Sequence, residues 1–225
     1  MIAEGRVSVD GELVTKPGTS VDPARQRVAV DGRAVSLSVV RWLALHKPPG
    51  ILCSRGDPQG RPTIYDLIPP DAASLFHVGR LDFMSEGLLL MTNDGDVAQR
   101  LLHPSTELTR TYEVALVGPV RGDLPRTLVA GVTIQDGLAA AARASWMGAP
   151  ESKSPVVALT LREGRNREIR RMLAALEVRI RWLRRVAFGP IDLGDLARGE
   201  TRALSGEEIA SLNGIAANTM NERKG

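Results

Sequence analysis

The order of strand and helix patterns along the chain is the feature that most constrains its fold. Residues 110–117 alternate apolar and polar side chains, as a half-buried strand does, and residues 87–92 form a strongly apolar strand. Nearer the N-terminus, Val7 to Val14 predicts a hairpin that turns at Asp10-Gly11. Predicted strands outnumber helices and do not alternate with them regularly. This order predicts an α+β fold, with a mainly antiparallel mixed sheet and flanking helices.

Composition excludes several classes of site. Aromatic residues make up only 4% of the 225 residues, so the core must be mainly aliphatic. The single cysteine, Cys53, excludes an intrachain disulfide framework and a zinc site built on several cysteines, and it suits a reducing cytoplasm. No window approaches ~18 uninterrupted apolar residues, so we expect no membrane span. The three histidines lack metal-ligand spacing and no phosphate-binding glycine loop is present, so neither a metal nor a nucleotide cofactor is expected.

The clearest predicted helix spans residues 167–176. Its apolar stripe repeats at helical spacing, with Ile169, Met172, Leu173 and Leu176 on one face. Asn166 precedes it and is predicted to cap its N-terminus. The helix arginines then lie beside the stripe rather than on it.

Positive charge is concentrated around this helix. Residues 162–185 hold nine arginines against three glutamates, a net charge of +6 in a chain whose total is +3. Arginine presents a planar fork of donors that suits phosphate groups and base edges. The strip therefore indicates a polyanionic partner, although a solvated helix face remains the alternative.

One carboxylate draws attention as a candidate for chemistry. Asp82 ends the run His77-Val-Gly-Arg-Leu-Asp82, in a loop between two predicted strands, where a side chain can face a cleft. A carboxylate there can act as a nucleophile or a base. Spacing alone favours the other interpretation, an aspartate that only caps a turn.

Three long motifs resemble a known family. HVGRLDFMSEGLLLMTNDGD (77–96), RTYEVALVG (110–118) and EGRNREIRRM (163–172) occur in the order and spacing of the RsuA/RluB branch of bacterial ribosomal RNA pseudouridine synthases. The similarity extends from residue 44 to residue 209. It implies the pseudouridine synthase fold, with a central basic cleft, and isomerisation of a uridine without a cofactor. Glu177 departs from the family pattern, which tends to have glycine at the end of this helix, so the turn there is expected to differ.

The resemblance also implies a set of site residues. Asp82 matches the family's essential aspartate, Tyr112 the aromatic that packs on the target base, and Arg170 the basic residue that pairs with the aspartate. Leu173 is a candidate for the base pocket, although a core role within the helix stripe is the stronger interpretation. The residues expected to contact RNA are Lys47, Arg80, Arg165, Asn166, Arg167 and Arg171.

Domain organisation and target follow from the same resemblance. Residues 1–38 resemble the second half of a small RNA-binding module whose first two helices are missing, and residues 39–225 would form the catalytic domain. We expect a cytoplasmic, monomeric enzyme acting on ribosomal RNA or a pre-ribosomal particle. Large-subunit 23S RNA is the favoured target. The alternatives are small-subunit 16S RNA, or a non-catalytic RNA-binding factor in ribosome assembly.

Overall fold

The computed structural model describes residues 1–22, 25–35 and 39–221, and the chain divides into two compact units, Met1–Val40 and Arg41–Gly225. The first unit is a small antiparallel sheet with strand order β2-β1-β3-β4. Its strands are β1 (Val7–Val9), β2 (Glu12–Val14), β3 (Val28–Val30) and β4 (Arg33–Ala34). The predicted hairpin is present, because Val9 pairs with Glu12 across Asp10-Gly11, and both turn residues have the positive φ that such a tight turn requires.

The second unit contains a large mixed sheet with four helices. Its strands are β5 (Trp42–Lys47), β6 (Phe76–Val78), β7 (Glu86–Thr92), β8 (Arg110–Leu116), β9 (Val132–Ile134), β10 (Gly137–Ala139), β11 (Arg143–Trp146), β12 (Val156–Leu161), β13 (Ile180–Phe188), β14 (Ile191–Asp192) and β15 (Thr201–Ala203). Its helices are α1 (Gly95–Leu102), α2 (Leu124–Ala130), α3 (Glu168–Ala175) and α4 (Gly206–Asn221). Short 3₁₀ turns occur at Ile64–Asp66, Pro70–Ala72 and Pro104–Thr106.

The main sheet runs in the order β11-β12-β8-β13-β7-β5-β15, while β14 pairs with β13, β6 pairs with β7, and β9 and β10 form a separate hairpin. Within the described residues, the strands of this unit pair antiparallel except β13 with β7, which are parallel. The α+β class and the mainly antiparallel sheet are therefore confirmed.

Strand β7 is apolar along its length because both of its faces are covered. Leu88 and Leu90 belong to a core that includes side chains of α1 and α4, whereas Leu89 and Met91 belong to a second core under the 64–75 segment. A strand that is buried on both faces has no solvent face and so no alternation of polar residues.

Helix α3 differs at both ends from the sequence prediction. Its stripe is confirmed, since Ile169, Met172 and Leu173 are buried, but Asn166 is exposed and does not cap it. The residue before the helix is Arg167, in the left-handed conformation at φ 52°. The backbone N–H of Arg165 donates instead to the Glu168 carboxylate, at 3.2 Å, which gives a donor just before the helix a side-chain acceptor.

At the C-terminal end, Glu177 has a φ of 58°, the left-handed conformation that glycine usually supplies after a helix. The N–H of Val178 donates to the carbonyl of Leu173 at 2.8 Å, which closes the turn. The turn therefore keeps a glycine-like conformation despite the glutamate, contrary to the expectation of a local difference.

None of the helices in the described ranges is long and apolar enough to cross a membrane.

Gly87 permits the close approach of β7 and β13, and this predicts an unequal effect of two similar substitutions. A Cβ at Gly87, at φ 111°, would lie 2.2 Å from the backbone oxygen of Arg185, whereas one at Gly137, at φ 102°, meets nothing within 4 Å. We expect Gly137→Ala to cost only the backbone strain of about 1 kcal/mol. We expect Gly87→Ala to cost roughly 3 kcal/mol or more, because the two strands must separate. Denaturant unfolding measures both, and equal losses would contradict the close approach.

Candidate active site

A strongly basic cleft of about 810 Å³ lies in the second unit, lined by β8, β13, α3 and the loops around them. Its volume is in the range of small-molecule and nucleotide sites. The charged residues that line it are Arg80, Asp82, Glu107, Arg110, Arg162, Glu163, Arg165, Arg167, Glu168, Arg170 and Arg185. Arginines outnumber carboxylates among them, which favours an anionic ligand.

Asp82 lies on the β6–β7 loop at the wall of this cleft, with its side chain 29% exposed. Its Oδ2 atom is 3.4 Å from Nε of Arg170 and 3.9 Å from Nη1 of Arg167, both contributed by the α3 region. The predicted pairing of Asp82 with Arg170 is therefore present as an ion pair, although the Nε contact lacks hydrogen-bond geometry.

Arg170 also holds the loop that carries Asp82. Its Nη2 donates to the carbonyl of Met84 at 3.1 Å and lies 3.0 Å from the Oγ of Ser85. Burial lowers the pKa of the Arg170 guanidinium from its usual value, and Asp82 opposes that shift. Because a guanidinium stays charged in proteins, Arg170 presents a fixed, partly desolvated cation to Asp82.

Lys47 was predicted to contact RNA, and the structure corrects this. Its side chain is fully buried at the end of β5. Four backbone carbonyls lie within hydrogen-bond distance of its Nζ and share its three N–H donors: Pro48 at 2.9 Å, Asp82 at 3.2 Å, Phe83 at 3.4 Å and Ser85 at 2.8 Å. The ammonium is thus enclosed beneath the Asp82 loop, where RNA has no access to it.

Tyr112 lies on the cleft wall in β8, 8% exposed, with a ring that also packs in the hydrophobic core. Apolar cleft residues are Leu81, Leu161, Ile169 and Leu183. The base-pocket prediction for Leu173 is wrong in this respect: it is fully buried in the core and does not line the cleft. Ile169, one turn earlier on α3, lines it instead.

The arginines expected to bind RNA divide into two groups. Arg80 and Arg167 are exposed and line the cleft, a position that would allow the predicted contact with RNA. Arg165 also lines it, but its Nε lies 2.6 Å from Glu163 and its Nη1 donates to the Leu138 carbonyl. Arg171 pairs with Asp136 in the β9–β10 turn and, like Asn166, is absent from the cleft lining. Of the two arginines within α3, Arg170 lines the cleft and Arg171 does not.

Comparisons with known proteins identify the family of this chain. The family model described as RNA pseudouridylate synthase matches residues 41–175, more than half of the chain. The chain belongs to the RNA pseudouridylate synthase family. This confirms the family and the isomerase class that the sequence predicted.

Individual relatives agree. An uncharacterized RNA pseudouridine synthase of Mycobacterium tuberculosis is 46% identical over 217 residues, 94% of this chain and 85% of that protein. The ribosomal large subunit pseudouridine synthase B of Salmonella typhi is 40% identical over 222 residues, covering 96% and 76%. A solved pseudouridylate synthase superposes with a TM-score of 0.69 at 29% identity, covering 94% of this chain and 90% of that one.

The structure adds cleft residues that sequence reasoning missed. Arg110 and Arg185 are buried at the cleft, and Glu168 is a buried carboxyl whose pKa burial raises. Arg110 immediately precedes the Thr-Tyr pair of the second motif, so its position was a signal. Arg185 was visible only as a member of the basic strip. In the described part of the chain, no group of three or more His, Cys, Asp or Glu side chains could hold a metal ion.

A second buried network supports β7 behind the site. Glu86 pairs with Nε of Arg184 at 2.8 Å and Nε of Arg198 at 2.9 Å. Burial acts to raise the pKa of Glu86, but the hydrogen bonds from the two arginines outweigh it, and the pKa is lowered. The first residue of β7, directly after the Asp82 loop, is therefore fixed as a charged group.

The buried ammonium of Lys47 predicts an unusual dependence of stability on pH. Burial lowers the pKa of Lys47 from 10.5 to about 8, so the folded protein binds this proton more weakly than the unfolded chain does. The contribution of Lys47 to the free energy of unfolding then rises as pH increases from about 8 to about 10.5. Relative to Lys47→Met, we expect the wild type to gain about 1–3 kcal/mol in free energy of unfolding across that window.

Denaturant unfolding of both proteins at about pH 7 and about pH 10 measures this change. Lys153→Met, at an exposed lysine, controls for the loss of a lysine in general. A difference between wild type and Lys47→Met that stays constant with pH would contradict the proton linkage.

Proposed function

We propose that this protein isomerises one uridine of large-subunit 23S ribosomal RNA to pseudouridine, with Asp82 as its catalytic carboxylate. The observation that carries the proposal is the placement of Asp82 on a tethered loop at the wall of an arginine-rich cleft, 3.4 Å from Arg170. Among the cleft carboxylates of the described residues, Asp82 alone is partly exposed and lies within ion-pair distance of two arginines.

The reaction suits a site of this composition. The bond from uracil N1 to ribose C1′ breaks, the base turns, and C5 bonds to C1′, while a proton leaves C5 and N1 gains one. Atoms and electrons balance within the substrate, so no redox partner or co-substrate is needed. Asp82 would act as nucleophile or base on the nucleoside.

The other predicted groups have matching roles in this proposal. Arg170 would orient the Asp82 carboxylate through its ion pair and its contacts with the loop. Tyr112 would offer a ring on which the extruded base packs. Arg80 and Arg167, exposed at the cleft, would contact RNA backbone and help to offset the few kcal/mol that unstacking a base costs.

The choice of target rests on relatives. The large subunit pseudouridine synthase B of Salmonella typhi, at 40% identity, favours a large-subunit site for this chain. Small-subunit 16S RNA is the alternative target. A non-catalytic ribosome-assembly factor is the alternative class, and the Asp82–Arg170 pair weighs against it because RNA binding alone has no use for it.

We further propose a division of labour between the two units. The Met1–Val40 unit would contribute to RNA binding and the second unit would be the catalytic domain. The enzyme would act as a monomer on ribosomal RNA or a pre-ribosomal particle in the cytoplasm.

Expression in a host that lacks its own large-subunit synthases of this branch tests the reaction. Pseudouridine in the ribosomal RNA is mapped by chemical modification and primer extension. We expect one new pseudouridine in 23S RNA with the wild type and none with Asp82→Asn, because the amide can serve neither as nucleophile nor as base; a loss of at least ~10³-fold is expected. New pseudouridine only in 16S RNA would support the alternative target, and RNA binding without modification would support the assembly factor.

Two adjacent arginines give a matched test of the ion pair. Arg170→Ala removes the partner of Asp82 and two contacts to its loop, and we expect turnover to fall by about 10²-fold or more. Arg171→Ala removes an equal charge from the next residue but breaks only the pair with Asp136, so turnover should stay within about threefold of wild type. Single-turnover rates on a transcript containing the mapped site measure both. Near-normal turnover in Arg170→Ala would refute the role given to the pair.

A further inference from the structure

Two buried arginines at the cleft have no acidic partner. Arg110 is 9% exposed and Arg185 is 2% exposed, and both line the cleft. Within the described residues, neither has a carboxylate oxygen within ion-pair distance. A buried, uncompensated cation is costly, so two of them side by side call for an explanation.

Other buried or half-buried arginines of this protein behave differently. Arg184 pairs with Glu86 at 2.8 Å, Arg202 pairs with Glu208 at 2.7 Å, and Arg171 pairs with Asp136. These three arginines are neutralised by carboxylates of the protein itself. Arg110 and Arg185 are exceptions that occur at the cleft, where a ligand can supply the missing charge.

The two guanidiniums are fixed in place by neutral groups. Their Cζ atoms lie 5.3 Å and 5.2 Å from the ring centroid of Phe188. Nη1 of Arg110 donates to the carbonyls of Leu108 and Arg162, and Nε of Arg185 donates to the carbonyl of Leu88. Each arginine is thus oriented without being neutralised, which is the preorganisation that an anion site needs.

Arg185 also has unused donor capacity. Its Nη2 is buried and has no hydrogen-bond partner. A buried donor left unsatisfied costs about 1–3 kcal/mol, and a bound oxyanion would satisfy it. Burial raises the pKa of the nearby Glu168 carboxyl, and neither of its oxygens lies within ion-pair distance of Arg110 or Arg185.

The position of the pair relative to Tyr112 suggests which anion. In the β8–β13 ladder, Arg185 is the cross-strand partner of Tyr112, and Arg110 is the partner of Phe188, two residues along β8 on the same face. Cross-strand neighbours are about 5 Å apart and alternate residues of a strand about 6.6 Å apart. Those distances are comparable to the separation of a pyrimidine ring from the phosphate of the same nucleotide.

We propose that Arg110 and Arg185 form a phosphate subsite in the cleft, which takes a backbone phosphodiester of the RNA segment that carries the target uridine. The subsite rests on the proposed function for its RNA substrate. This subsite is buried next to Tyr112, whereas Arg80 and Arg167 are exposed. It would therefore set the depth at which the nucleotide enters the cleft.

Nuclear magnetic resonance titration of the full chain tests the proposal on the wild type. The probes are inorganic phosphate, uridine 5′-monophosphate and uridine, and the signals are the Nε–Hε groups of Arg110 and Arg185. We expect phosphate and the monophosphate to shift these signals and uridine to leave them unchanged, with the monophosphate binding roughly tenfold tighter than uridine. Equal affinities, absence of binding, or shifts confined to Arg80 and Arg167 would overturn the subsite.

Variants then assign the effect. Arg185→Gln and Arg110→Gln should reduce the affinity for the monophosphate to that for uridine, while the affinity for uridine is retained. Arg181→Gln, on the same strand but exposed and outside the cleft lining, is the matched control and should keep the tenfold preference. Retention of the preference in both cleft variants would overturn the assignment.

Two safeguards keep the outcome interpretable. Arg185→Lys, which keeps the charge but loses the fork, should bind the monophosphate with intermediate affinity, and it replaces Arg185→Gln if that variant fails to fold. The readout is binding rather than turnover. A protein that makes pseudouridine but shows no phosphate shift refutes the subsite alone, whereas a phosphate shift without pseudouridine refutes the proposed function alone.

Discussion

Most of the site depends on how the loop between β6 and β7 is held. A loop that connects two strands has carbonyls that point away from the ladder and need partners. Here the buried ammonium of Lys47 takes those of Asp82, Phe83 and Ser85, and Arg170 takes that of Met84. The backbone N–H of Gly50 adds a bond to the carbonyl of Phe83 at 2.8 Å. The carboxylate of Asp82 is therefore carried by a backbone that is fixed from β5 on one side and from α3 on the other.

Fixing the loop by cations has an electrostatic consequence. Lys47 lies beneath Asp82 and Arg170 lies beside it, so the same two groups that order the backbone also place positive charge near the carboxylate. A single set of contacts thus combines positioning with electrostatic preorganisation. The cost is burial of Lys47, which the four carbonyl contacts offset in part.

The sequence predicted the elements better than the directions of side chains. The stripe of α3 and the β8 strand could be read from period alone, because burial of one face imposes that period. The burial of Lys47 could not be predicted, since a lysine is nearly always exposed and only the neighbouring loop gives its ammonium hydrogen-bond acceptors. Leu173 and Ile169 share one stripe, but only Ile169 lines the cleft. Which of the two does so depends on how α3 packs against its neighbours. Asn166 was a sound cap by type, but the left-handed Arg167 takes the cap position and the helix begins one residue later than predicted, at Glu168.

Residues from distant positions along the chain meet at one site because β13 pairs with two strands. Asp82, Tyr112 and Arg170 come from three separate segments, and β13 connects them by pairing with β7 in parallel and with β8 antiparallel. The register places Arg185 opposite Gly87 on one side and opposite Tyr112 on the other. Gly87 has to be a glycine because the backbone of Arg185 passes where a Cβ would lie. Backbone packing at β13 therefore sets the distance between the loop that carries Asp82 and the cleft wall that carries Tyr112. The side chains of the cleft act within the width that this strand determines.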